Sequence, residues 1–342
     1  MKNPNTLPQK TGFVLITVLL TIILLTAVLL DFNYAARENL HSADKFHARF
    51  QSLNCARAGL NLVLATLAHN PDPLDHPNLR LWLANVAEID IGPGSCTITM
   101  LEENGKFNVN TLINKNGSIN RTRIDQFLRL IDLLNQQNPK NEPISYELAP
   151  ALMDWMDTDD ALTTLPFVGQ ANTGAESYYY QRNHAPAVCS NTYLDTLKEM
   201  LLIKGMTPDI FYGDINSAAS NQLPRGLIHY LTVYGDGKID INYAPELILR
   251  SLAENMNPVL VQNIIRYRNQ KLFSDPSELA GLPGIEDLPR QTLIDTVTVK
   301  PDPYCFKIIS QGAYRQINCT ITAVILIDSA NSKTKILYYN EE

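Results

Sequence analysis

FVLITVLLTIILLTAVLL, residues 13–30, carries no charge over its whole length, and its reading decides the fold. At about 1.5 Å per residue the run spans about 27 Å as a helix, close to the hydrocarbon thickness of a bilayer. Only a helix pairs all its own backbone groups in lipid, so the run is a membrane segment or a signal-peptide core. Secretory signals have a shorter core, roughly 7–15 residues, with a small-residue cleavage site behind it. Here the run passes into Leu30-Asp31-Phe32-Asn33-Tyr34 without such a site. The small residue, Gly12, stands in front of the run, after a leader holding Lys2 and Lys10. A cut after Gly12 leaves the apolar helix on the mature chain with Phe13 at its head.

Beyond the run, no proline occurs from Asp31 to His69, and Leu40, Phe46, Phe50, Leu53, Ala56, Leu60, Leu64 and Leu67 recur at helical spacing. The spacing predicts that the membrane helix continues, as one helix of about 55 residues, to the stop at Asn70-Pro71-Asp72-Pro73. Its first half is apolar all round and its second half amphipathic, so the second half needs a partner surface.

Strands supply that surface. Residues 95–101, SCTITML, and Phe107 read as a hairpin through the turn dipeptide Asn104-Gly105. Tyr304–Ala313, Cys319–Asp328 and Lys335–Tyr339 are β-rich, with turns near Arg315-Gln316 and Ser329–Ser332. Strands before residue 108 and after residue 300 belong most simply to one antiparallel sheet. The intervening residues are then an insertion, poor in strand signals and reading as helices divided by Pro and Gly. Its first part, 108–213, holds Arg121–Gln137, the segment LMDWMDTDD (152–160), GAESYYY (174–180) and a helix over Thr192–Ile203. Its second part, 214–300, holds INYAPELIL and helices over Pro245–Leu252 and Pro258–Asn269.

Composition bounds the function. The 342 residues carry a net charge of −7, and losing residues 1–12 removes two lysines and no acid, leaving −9. Nucleic acid binding rests on Lys/Arg clusters, so an acidic chain argues against that partner. Positive-inside counting puts Lys2 and Lys10 in the cytoplasm and the bulk of the chain in the periplasm. That compartment permits disulfides among Cys55, Cys96, Cys189, Cys305 and Cys319, whose pairing the sequence leaves open. No enzyme is expected: the six histidines form no metal motif, and neither a G-x-S-x-G elbow nor a P-loop occurs. The densest chemistry is Asp154, Asp157, Asp159 and Asp160, with Glu176 further on. Mutual repulsion among them is relieved either by water, in a solvated acidic loop, or by a hard cation such as Ca²⁺.

Taken in order, Gly12-Phe13 with the apolar run, FNVNTL, LMDWMDTDD with GAESYYY, and INYAPELIL with the downstream I-I-x-Y-R resemble protein K of type II secretion systems, a minor pseudopilin. The resemblance spans nearly the whole chain and implies an α+β fold: a pilin-like long N-terminal helix on an antiparallel sheet, with two SAM-like helical modules inserted between strands. It divides the chain into a prepilin leader (1–12), the assembly helix and first strands (13–107), a first helical domain (108–213), a second, helix-hairpin-helix-like domain (214–300) and C-terminal strands (301–342). The implied function is structural, at the tip of the secretion pseudopilus, in export of folded proteins across the outer membrane. Implied partners are minor pseudopilins I and J, the major pseudopilin, the prepilin peptidase, and secreted substrate or the outer-membrane secretin. Cutting between Gly12 and Phe13 and methylation of Phe13 are expected, with the chain held in the inner membrane. Pilins carry a Glu at the fifth mature residue, here Thr17, and protein K relatives are similar in lacking it. The resemblance also favours calcium at the acidic loop, with Asp157, Asp159, Asp160 and Glu176 as expected ligands. The alternative function is a membrane-anchored competence-type DNA receptor using the 214–300 module. Against it, Glu254-Asn255-Met256-Asn257-Pro258 lacks the hairpin glycines, and residues 236–300 hold nine acids against seven bases.

Overall fold

The computed structural model describes residues 11–68, 83, 87–137, 143–169, 172–182, 188–213, 226–285, 295–328 and 333–342. Most of the expected leader, the helix stop at 70–73 and the turn at 329–332 lie outside them. Helix α1 runs unbroken over Thr11–Ala68. Its most apolar eighteen-residue window has a mean hydropathy of 3.1 and none of it is buried, and it is the one helix among the described residues long and apolar enough to cross a membrane. The hydroxyls of Thr17, Thr21 and Thr26 donate to the carbonyls of Val14, Val18 and Ile22. Each polar group is thereby satisfied within the helix, as hydrocarbon demands.

The second half of α1 packs on a five-stranded sheet. Strands β1 (Ala87–Ile91) and β2 (Gly94–Glu102) precede the insertion. Four two-residue strands lie between: β3 (Phe107–Asn108), β4 (Leu231–Thr232), β5 (Ile239–Asp240) and β6 (Val297–Thr298). Strands β7 (Tyr304–Tyr314), β8 (Ile317–Asp328) and β9 (Lys333–Glu341) follow it. The sheet order is β1-β2-β7-β8-β9, with every pair antiparallel. Alternation along the strands puts Ile98, Met100, Phe306, Ile308, Ile321 and Ile325 on the helix side, against Ala56, Leu60, Val63 and Leu67. Each such aliphatic side chain contributes about 1.5–3 kcal/mol when fully buried. The fold is thus α+β, a long N-terminal helix on an antiparallel sheet with a helical insertion, as expected.

Two local readings change. The hairpin partner of β2 is β1, joined through Gly92 at φ +57°, while β3 leaves the sheet and pairs in parallel with β4. The cause is Glu102, whose carboxylate accepts the amides of Asn104 and Gly105 and turns the chain out of the sheet plane. The expected helix over Thr192–Ile203 narrows to a 3₁₀ turn, Leu197–Leu202, opened by a capping box of Thr196 and Glu199.

In the insertion, helix α2 (Arg121–Gln137) has a helical apolar face, and α3 (Leu148–Met156) is buried all round. Short α4 (Ser177–Gln181) and α5 (Pro208–Tyr212) complete the first part, and α6 (Glu246–Ser251) and α7 (Pro258–Gln270) build the second. The two parts share one apolar cluster, from Phe107 to Val299. Gln126 and Arg129 of α2 donate to the carbonyls of Leu252 and Ser251, so polar staples cross that core as well. All five cysteines are buried free thiols. Cys305 stands opposite Leu326 and Cys319 opposite Gly312, so the sheet register pairs neither with a cysteine.

Candidate metal centre

Helix α3 carries the acidic segment to its place. Its last turn ends at Asp157, whose amide donates to the Met153 carbonyl at 2.9 Å. Packing holds the helix end: Trp155 meets Tyr180 edge-on at 5.1 Å between ring centroids, and the Tyr180 hydroxyl accepts the Lys204 amide. Glu176 is brought in by a small loop clasp, in which Thr164 bridges Thr173 and the Gly174 amide donates to the Thr163 carbonyl. Glu176 then stands as the residue before α4. Gly174 is needed at the approach, because a Cβ there would overlap the Asp154 carboxylate and come within 2.8 Å of the Pro150 carbonyl.

One possible ligand atom each from Asp157, Asp159 and Glu176 lies within 4.8 Å of the others. Asp160, also expected as a ligand, is exposed and is not one of the three that converge. Asp154, the helix residue of the segment, is fully buried and offers one carboxylate oxygen to the Thr163 amide at 2.9 Å. Its other oxygen, one oxygen of Asp157 and both of Glu176 are buried without a hydrogen-bond partner. Buried acceptors ordinarily find donors, so four orphaned carboxylate oxygens in one place are exceptional.

The electrostatics follow. Burial, then Asp159 and Asp154, pushes Asp157 up to about 6. Burial, then Asp154, Asp157 and Asp160, pushes Glu176 up to about 7. Burial also raises Asp154, against the opposing pull of Thr163. A carboxylate cluster held like this without a cation is costly, and its all-oxygen donor set fits a hard divalent cation. The sequence already showed the aspartates; it did not show that Asp154 turns inward, which follows from α3 being buried on every side.

Residues 105–212 match the family described as type II secretion system (T2SS), protein K. The match covers the acidic segment, the clasp and Glu176. Comparison with curated protein sequences gave no match. Among solved structures, the fold is similar to a chain of the crystal structure of the GspK-GspI-GspJ complex from the enterotoxigenic Escherichia coli type 2 secretion system. That likeness has a TM-score of 0.62 at 17% identity, over 89% of this chain and 99% of the other. The resemblance to type II secretion protein K holds. It holds by sequence for the first part of the insertion and by fold for 89% of the chain.

Proposed function

We propose that this chain is a minor pseudopilin at the tip of a type II secretion pseudopilus, with a structural role in export and no catalysis of its own. The observation that carries the reading is a single one: the 105–212 match to protein K sits inside a chain whose fold, over 89% of its length, is similar to a chain of a GspK-GspI-GspJ complex. Pseudopilins I and J are accordingly the proposed neighbours, with the major pseudopilin below them and secreted substrate or the secretin above. The boundaries given at 12, 107, 213 and 300 describe leader, helix with first strands, two helical parts and closing strands. Helix α1 anchors the chain in the inner membrane through Phe13–Leu30, and the remainder lies in the periplasm. The prepilin peptidase cuts between Gly12 and Phe13, and Phe13 is methylated. Asp157, Asp159 and Glu176 hold calcium, with Asp160 and the inward oxygen of Asp154 completing its surroundings. When bound, the ion supplies only charge neutralisation, joining the end of α3 to the start of α4.

The test is N-terminal sequencing of the protein purified from membranes. A mature chain starting at Phe13 is expected. A chain starting after Ala35 or Ala36 would make the apolar run a discarded signal and remove the filament reading.

A further inference from the structure

The sequence holds two Asn-Gly dipeptides, Asn104-Gly105 and Asn116-Gly117. Each carries a latent reaction, attack of the glycine nitrogen on the side-chain amide carbon of the asparagine before it. Glycine has no Cβ to hinder the approach, and both groups belong to one short stretch of chain. The fold treats the two pairs in opposite ways. Asn104 is sealed: it is buried, its Oδ1 accepts the Cys305 amide at 2.7 Å, and its Nδ2 donates to the Pro303 carbonyl at 3.1 Å. The Gly105 amide, which would be the nucleophile, donates to the Glu102 carboxylate. Attack there must break all three bonds at a buried place, so this pair is inert until the junction opens.

Asn116 is open. Residues 115–119 are exposed, and Gly117 takes φ +80° in a turn closed by a bridge between Ile113 and Ile119. Asn116 Oδ1 accepts two donors from one residue, the Ser118 amide at 3.0 Å and the Ser118 hydroxyl at 2.7 Å. The bond to the Ser118 amide folds the side chain back over the intervening Gly117 peptide. The hydroxyl is itself held, since Asn114 Nδ2 donates to it at 2.9 Å. Two donors on one carbonyl oxygen are what a tetrahedral intermediate needs as negative charge gathers there. Against this, the Gly117 amide donates to the Asn114 carbonyl at 2.8 Å and must be released before it attacks. That is a single bond in an exposed turn, worth about two- to tenfold in rate, and the Ser118 hydroxyl offsets it by a similar factor.

We propose that Asn116 is a self-modification site, converted without any enzyme to aspartate and isoaspartate with the help of Ser118, while the fold protects Asn104. The Gly117 nitrogen loses its proton and bonds to Asn116 Cγ, and the side-chain nitrogen leaves as ammonia. Water then opens the resulting cyclic imide at either carbonyl. Each event consumes one water and releases one ammonia, with no oxidation or reduction. The isoaspartyl product routes the backbone through its own Cβ, which lengthens a turn held by the Asn114 amide on the Ser118 carbonyl at 2.8 Å. Either product adds a negative charge next in sequence to Lys115, which with Asn114 and Arg123 lines a cleft of about 680 Å³ at the start of α2. The reaction needs no partner, so the inference does not rest on the proposed function.

Peptide mapping by mass spectrometry tests it, on the full chain in detergent micelles held for days at mildly alkaline pH and physiological temperature. Digestion at acid pH keeps amides from being lost in handling. In the folded wild type, peptides covering 113–120 are expected to gain aspartate and isoaspartate at position 116. Position 104 is expected to convert at least about a hundredfold more slowly, the worth of its three bonds. In guanidinium chloride the two positions should convert within about tenfold of each other, because only their shared Asn-Gly sequence then acts. Ser118→Ala, which removes the hydroxyl donor and keeps the amide, should slow position 116 by about two- to tenfold in the fold and leave its rate in guanidinium chloride unchanged. Three results overturn the proposal: position 104 converting within about tenfold of position 116 in the folded wild type, a folded rate at 116 below about a tenth of its rate in guanidinium chloride, or a folded Ser118→Ala that converts as fast as the wild type.

Discussion

Replacing Gly312 with alanine is expected to pry the assembly helix from its sheet. Gly312 lies on β7 between Cys96 and Cys319 of the neighbouring strands, directly beneath α1. An added Cβ would overlap the Ser52 carbonyl oxygen, come within 2.5 Å of the Ala56 nitrogen and reach 3.1 Å from the Cys55 Cβ. Two of these neighbours are helix backbone and cannot rotate away. Ordinary contact begins near 3.4 Å, so the helix must retreat by about 1 Å. That retreat stretches two buried bonds beyond hydrogen-bonding reach: Ser52 Oγ to the Gly312 carbonyl and Ser310 Oγ to the Ala56 carbonyl, both 2.8 Å. Overpacking costs about 1–3 kcal/mol, and each lost buried bond costs about 1 kcal/mol more. Alanine's smaller entropy loss on folding returns about 0.4–1 kcal/mol, for a net loss of about 2–5 kcal/mol. Thermal unfolding followed by circular dichroism, in micelles, should show a midpoint lowered by about 3–7 °C. Gly169→Ala is the control, since a Cβ there meets nothing within 4 Å. If Gly312→Ala melts together with Gly169→Ala, the close helix–sheet seam is not what fixes α1, and the reasoning fails.

Calcium at millimolar concentration is expected to stabilise the wild type by about 2.7 kcal/mol at a hundredfold excess over Kd, and so to raise its unfolding midpoint. In Glu176→Gln the calcium effect should largely vanish, whereas in chelator the variant should melt above the wild type, because one of the crowded buried carboxylates is gone. Calorimetry showing no heat of calcium binding to the wild type would exclude the ion from this loop. Asn242→Ala is expected to cost about 2–4 kcal/mol in the second part of the insertion. Its amide donates to the carbonyls of Phe273 and Val299 at 3.0 and 3.2 Å and accepts the Phe273 amide at 2.8 Å, and an unchanged midpoint would show these bonds to be replaceable by water.

The long helix was legible because its signal is redundant: apolar run, proline-free continuation and helical spacing all agree on one element. Strands β7 and β8 were legible for a similar reason, as alternation over eleven and twelve residues leaves little choice of face. The acidic segment was visible as a cluster, and its burial was not, because burial depends on α3 lying inside the shared core. The ladders β3–β4 and β5–β6 escaped notice for a different reason. Two-residue strands have no period to read, and a parallel pair such as β3 with β4 joins positions separated by more than a hundred residues. Alternation places a residue on a face but does not name the neighbouring strand, so Asn104-Gly105 looked like a hairpin turn when it is an exit.

That exit explains how a sheet tolerates an insertion of this size. Strands β2 and β7 pair through Glu102 and Phe306, so the chain leaves and returns at adjacent positions, as a hairpin loop would. Asn104 closes the gate: its side chain accepts the Cys305 amide at 2.7 Å and donates to the Pro303 carbonyl at 3.1 Å, while the Glu103 amide donates to the Cys305 carbonyl. Loop closure grows only with the logarithm of loop length, so a long loop costs the sheet little more than a short one. The loop then orders itself, because its own apolar cluster repays the entropy. The sheet's register needs nothing from the insertion except a fixed gate. Asn104 also ties the two sides of that gate together, since its amide donates to the Glu102 carboxylate and its carbonyl accepts the Asp240 amide, so the insertion is held without disturbing the register of the sheet beneath α1.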